Sequence, residues 1–173
     1  MYMKIIGGVL IVVSAYIMGV YYAQKEKLKI EDMEEIKKGL TIVKDEIMFL
    51  SMPLGEAFLQ ASEKLTGGAA LIFSKIGQGI KENPDSSLAD LVNKAVDSNI
   101  SDTFMKKEDA SDLVSLGKTI GDMDSDHQRA SIDMTVSDID ERIGILKEKS
   151  EKNEKMYRSI FVLGGILVAV VLI

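Results

Sequence analysis

Apolar residues follow two patterns along this chain: unbroken runs at both extremities and one-sided stripes between them. Residues 5–23 are nineteen consecutive uncharged positions, and at ~1.5 Å per helical residue they reach ~28 Å, close to a ~30 Å hydrocarbon core. The second run, residues 159–173, has fifteen positions. It covers roughly 22 Å before Met156 and Tyr157 join it; snorkelling of Lys155 and Arg158 or local bilayer thinning would close the gap, and a half-inserted anchor is the alternative. The pattern predicts two membrane-spanning helices, an anchor at 1–24 and another at 159–173. A cleaved secretory signal is the rival reading of the first run, but Tyr21 stands where cleavage before Gln24 needs a small residue. The helix is expected to stay.

Between the runs the period changes. Ile30, Met33, Ile36, Leu40, Val43, Ile47 and Leu50 recur at steps of three and four, one apolar stripe on a helix that continues the anchor. Gly39 interrupts it as a weak point, at up to ~1 kcal/mol relative to alanine. Ser51 and Pro53 open a second helix with Leu54, Ala57, Phe58, Ala61 and Leu65 on one face, which Gly67 and Gly68 are expected to end. A third stretch, 69–80, runs to the Asn83-Pro84-Asp85 turn. Ser86 or Ser87 caps a fourth helix, and a fifth starts near Glu108 and stops at Gly121. Ile132, Val136, Ile139, Ile143 and Leu146 draw the stripe of the sixth, so two heptad-like seams flank the domain. Beyond Leu146 the seam turns polar at Ser150 and Asn153, where the helix is expected to leave the bundle. With no strand pattern of comparable length, the fold class is all-α: a six-helix soluble bundle, residues 25–158, flanked by N-terminal and C-terminal transmembrane helices.

Charge orients this arrangement. Apart from Lys4, the basic residues all fall in the bundle, 20 against 27 acidic ones, which makes nucleic acid a poor partner. Lys25, Lys27 and Lys29 follow the first anchor, and Lys147, Lys149, Lys152, Lys155 and Arg158 precede the second, forming a juxtamembrane basic collar that suits anionic lipid. By the positive-inside rule the bundle belongs in the cytoplasm and both termini outside. Residues 31–146 hold 12 basic and 23 acidic side chains, a body that prefers a basic partner surface. There is no cysteine, which excludes disulfides and thiolate metal sites.

Candidate chemistry is sparse. Gly117-Lys118-Thr119 has the end of a phosphate-binding loop, but the glycine needed five residues earlier is Asp112, whose carboxylate repels phosphate. Asp122-x-Asp124-x-Asp126 has the spacing of the first EF-hand ligands, yet His127 replaces the glycine and Asp133 the bidentate glutamate, so capping of the sixth helix explains the aspartates better. His127 is the single histidine, which leaves neither a histidine metal cluster nor a Ser/His/Asp triad within one chain. A hydrolase built on scattered carboxylates would need a paired acidic cleft. The sequence therefore points away from an enzyme, and no cofactor is implied. Small residues stand out in the anchors: Ala15, Gly19 and Ala23 form one stripe, and Gly165 and Ala169 another, the pattern that lets helices approach closely in lipid. Within the bundle Gly117 and Gly121 are candidate close-contact positions, and Asp122, Asp124 and Asp126 a candidate docking loop.

Lys4, Gly7 and Gly19, then Glu46-Ile47 with Pro53-Leu54-x-x-Ala57, then Leu116-Gly117-x-x-Ile120-Gly121 with Asp124 and Gln128, then Gly164-Gly165 follow one another in an order that resembles the stage III sporulation protein AB family. The resemblance covers essentially the whole chain. Departures are small: Ile120 holds a slot associated with leucine, and Met48-Phe49 lies where a tyrosine often falls. The resemblance implies a component of the sporulation channel between mother cell and forespore, lying in the mother-cell membrane. It also implies a body similar to the cytoplasmic helical domains of type II secretion and type IV pilus platform proteins, and a secretion-ATPase-like stage III sporulation protein AA as neighbour beside other channel subunits. It supplies no catalytic residues. A membrane platform, with a homo-oligomer among its possible states, is the expected function; a membrane-tethered signalling adaptor or sensor is the alternative, and would need a ligand pocket or modification sites.

Overall fold

The computed structural model describes residues 2–120 and 125–172, with side chains described continuously over 24–120 and 126–153 and in part elsewhere. Every regular element among the described residues is helical: α1 (Tyr2–Leu50), α2 (Leu54–Glu63), α3 (Gly67–Glu82), α4 (Leu88–Asn99), α5 (Ser111–Thr119) and α6 (Ser125–Leu172). Short 3₁₀ turns at Ile100–Asp102 and Lys107–Ala110 join α4 to α5. The anchor runs are thus the outer portions of α1 and α6 rather than separate helices. The chain forms two compact units, Lys29–Gly144 and, by itself, Met1–Leu28 with Ile145–Ile173.

In Lys29–Gly144 the stripe of α1 is buried as its spacing dictates up to Ile47, while on α6 Val136 of the expected stripe is only half-buried and Thr135 is buried instead; Leu146, beyond this unit, is half-buried too. Ile30, Met33, Ile36, Leu40, Val43 and Ile47 on α1 and Ile132, Ile139 and Ile143 on α6 are core. Lys37 Nζ lies 2.6 Å from Asp140 Oδ1 and Lys44 Nζ 2.8 Å from Asp133 Oδ1. Both members shift by one heptad in opposite directions, so the two helices run antiparallel in register. Exposed pairs of this kind contribute at most ~1 kcal/mol each. They report the register that the seams set.

The stripe of α1 ends earlier than its period suggests, because Leu50 is 65% exposed. Ser51 takes φ +50 and the Met52 N–H reaches back to the Glu46 carbonyl, turning the chain before Leu50 can face the core.

Gly67 and Gly68 do not end the second helix. α2 stops at Glu63, and the glycines are the first residues of α3, with Thr66 as its cap. Gly67 supplies φ +59, and a Cβ on Gly68 would lie 2.8 Å from the Asp102 carbonyl oxygen. The α2–α3 hairpin is equally tight: a Cβ on Gly77 would lie 2.7 Å from Leu59 Cγ and 2.8 Å from the Gly55 carbonyl oxygen. Phe58 and Phe73 pack across it with ring centroids 5.3 Å apart. Gly39, which sequence alone marks as a weak point, is where α1 admits that hairpin, since a Cβ there would be 2.6 Å from the Phe73 ring.

In the other unit Gly19 is buried, and so is Ser150, 6% exposed, against the expectation of a polar exit from the seam. Large apolar side chains face outward instead: Tyr16 and Ile17 on α1, Ile160 and Leu163 on α6, each about half exposed or more. Among the described residues no helix is long and apolar enough to cross a membrane. Many side chains of 2–23 and 154–172, on which the two spanning expectations rest, lie outside the described residues.

Candidate functional site

Along α1, Lys29, Asp32 and Glu35 are spaced three residues apart and so share a face. Each answers a group from a distant connecting segment. Lys29 Nζ is 2.7 Å from Asp109 Oδ1, and Asp109 Oδ2 accepts the Lys106 N–H at 2.8 Å. Asp32 Oδ2 accepts the Phe104 N–H at 2.6 Å, and Glu35 Oε2 accepts the Thr66 N–H at 2.8 Å. The three side chains clamp the start of α3 and the α4–α5 connection to the first helix. From α6, Arg142 donates to the Glu108 carbonyl, Ser111 Oγ and Asp112 Oδ1, fixing the start of α5.

Electrostatics separate the two carboxylates. Burial pushes Asp32 above the ordinary carboxylate range, outweighing the hydrogen bond from Phe104, and nearby Glu31 adds to the rise. Burial also pushes Glu35 upward, but the Lys38 ammonium and the Thr66 N–H pull it below its usual value. Both carboxylates hold backbone groups, a structural task. Among the described residues no cluster of three or more His, Cys, Asp or Glu could hold a metal ion.

A groove of about 570 Å³ opens at the end of the bundle where α1 stops, lined by the start of α2, the end of α3, the 83–87 turn, the first turn of α4 and the end of α5. Leu54, Ile80, Pro84 and Leu91 give it apolar walls, and Asp85 and Lys118 give it charge. Gly117 backs it: its Cβ would lie 2.9 Å from Val92 Cγ2 and 3.4 Å from Ala89 Cα, so α5 rests on α4 there.

The structure places the other sequence candidates as follows. Asp126 is exposed in the first turn of α6, while Gly121, Asp122 and Asp124 lie outside the described residues. Gly19 is buried in its unit, and the side chains of Ala15, Ala23, Gly165 and Ala169 lie outside the description. Of the collar, Lys25 sits 4.9 Å above the Tyr21 ring and Lys27 is exposed, while the side chains of Lys155 and Arg158 are not described. Lys29 is the exception, because its charge is answered inside the bundle by Asp109.

Residues 4–173 match the family described as stage III sporulation protein AB (spore_III_AB). The chain belongs to the stage III sporulation protein AB family. It is 25% identical over 171 residues to stage III sporulation protein AB of Bacillus subtilis (strain 168), a match that covers 98% of this chain and 99% of that one. A solved structure of a stage III sporulation protein AB superposes with a TM-score of 0.64 at 18% identity, covering 72% of this chain and 97% of that chain. That second likeness speaks to the fold.

Sequence reasoning missed the α1 clamp and the groove of this stage III sporulation protein AB family member. The clamp had a faint signal, since Asp32 and Glu35 lie three apart beside a buried stripe, but nothing local identifies the amides they hold. The groove had none, because its walls combine the start of α2, the α3–α4 turn and the end of α5, which only packing brings together.

Proposed function

We propose that the chain is a non-enzymatic membrane platform subunit of the sporulation channel complex between mother cell and forespore. Its helical body lies on the cytoplasmic side of the mother-cell membrane and docks a secretion-type ATPase similar to stage III sporulation protein AA. The observation that carries this reading is the family match over residues 4–173. The uncharged runs at both ends and the outward-facing Tyr16, Ile17, Ile160 and Leu163 support anchoring in lipid, where exposed apolar surface is stable. Lys25, Lys27, Lys155 and Arg158 would meet anionic headgroups.

The acidic excess of residues 31–146, 23 against 12 basic, suits a basic docking surface on the ATPase, which would supply the energy. The 121–126 segment is the proposed docking loop, with Asp122, Asp124 and Asp126 as its charges. Gly19 and Gly165 would let the two anchors pair closely within the bilayer. Replacing the three aspartates with lysine should abolish co-purification of the ATPase from sporulating cells while helicity by circular dichroism stays unchanged. Undiminished recovery of the ATPase would refute that docking assignment.

A further inference from the structure

The end of the bundle where α1 stops sets exposed apolar side chains inside an acidic frame. Phe49 and Leu50 are 81% and 65% exposed. They do not belong to a frayed terminus: Ser51 holds the left-handed φ of +50, which a non-glycine residue rarely adopts, and the Met52 N–H closes the turn on the Glu46 carbonyl at 3.2 Å. Four residues after Leu50, Leu54 begins the wall of the 570 Å³ groove, a volume in the range of ~300–1,000 Å³ that accommodates a few large side chains.

Carboxylates surround both features. The register of Lys37–Asp140 and Lys44–Asp133, carried one heptad further, sets Ser51 level with Asp126. Asp126, Asp45 one turn before Phe49, Asp85 in the groove lining and Glu82 just before it are exposed and, among the described residues, have no ion-pair partner. In the sequence Asp122 and Asp124 precede Asp126. Lys44 and Arg129 share Asp133, Lys64 faces Glu46 and Lys81 faces Glu56. Among the described bases at this end, Lys118 alone stands free against four free carboxylates. A positively charged protein surface gains from that excess, whereas a second copy or an anionic bilayer meets like charge. The groove suits the same visitor, because a lysine or arginine can lay its stem on Leu54, Ile80 and Leu91 and bring its charge to Asp85.

We propose that this end is the docking face for a lysine- or arginine-rich protein surface: Phe49 enters an apolar pocket of the partner, and a basic side chain of the partner lies in the groove against Asp85. The inference rests on the platform reading, in which that partner is the ATPase, and it extends the docking surface from 121–126 to the end of α1 and the groove. An aromatic side chain already held outward makes such an anchor at little ordering cost.

Photo-cross-linking of the full chain in sporulating cells tests it, with benzoylphenylalanine placed singly at Phe49, Pro84 or Asp126 and the adducts sequenced by mass spectrometry. Phe49 and Pro84 should each capture the ATPase through a lysine- or arginine-rich peptide. Combining Glu82→Lys with Asp85→Lys should cut the Phe49 adduct at least about fivefold, and Lys118→Glu should raise it about twofold. A misfolded variant would also lose the adduct, so the rise with Lys118→Glu carries a sign that loss of fold does not produce. An ATPase adduct at Asp126 while Phe49 or Pro84 gives none would overturn this inference and leave the platform reading standing. Capture of a second copy, contact through an acidic or uncharged ATPase peptide, or charge variants that cross-link like the wild type would overturn it as well. No ATPase adduct at any of the three positions would remove the platform reading and this docking face together.

Discussion

Asp32 shows how one residue acts through its surroundings. Its carboxylate is held above the ordinary range chiefly by burial, so the folded protein binds that proton more tightly than the unfolded chain. Its contribution to stability is therefore most favourable in acid and declines as pH rises from the unfolded pKa through the raised folded one. Asp32→Asn removes the charge and keeps an oxygen to accept the Phe104 N–H. Relative to wild type, the thermal midpoint of Asp32→Asn should climb between about pH 4 and pH 7. A difference that stays flat across that range would mean that the charged hydrogen bond offsets the burial.

Elements meet in this bundle through missing side chains as much as through present ones. At Gly77 the α3 backbone lies against Leu59 and the Gly55 carbonyl of α2, so Gly77→Ala should destabilise the protein by about 1–3 kcal/mol, as overpacking does. Gly144 of α6 has open space where its Cβ would go. Gly144→Ala should be neutral or stabilising by up to ~1 kcal/mol, from helix propensity alone. Chemical denaturation of both variants checks the pair, and equal effects would contradict the packing. The Lys37–Asp140 and Lys44–Asp133 pairs that report the α1–α6 register are partly open to solvent, whereas Leu40, Val43 and Ile139 are buried.

At the scale of the whole molecule, the platform reading requires the bundle on one side of the membrane and both termini on the other. Single cysteines introduced into this cysteine-free chain test that directly. A cysteine at Ser98, exposed on α4, should resist a membrane-impermeant thiol reagent in intact cells. One at Met1 should react. Labelling of the Ser98 position before lysis would place the bundle on the outer face and remove its access to a cytoplasmic ATPase.

The sequence by itself determined the helical class, the burial of Ile30 to Ile47 on α1 and of Ile132, Ile139 and Ile143 on α6, the start of α4 and the end of α5 to within a residue or two, and the family. Each follows from residues near one another in the chain, through the 3.6-residue period or through local motif order. Only the tertiary structure decided that Gly67 and Gly68 begin α3, because the amide of its Thr66 cap is answered by Glu35, 31 residues away. It also decided that Leu50 faces outward, that Lys29 leaves the collar for Asp109, and that four helices enclose a groove. These depend on which segments meet. Local periodicity tells which face of a helix is buried, whereas the partner of that face is fixed by packing across the whole chain.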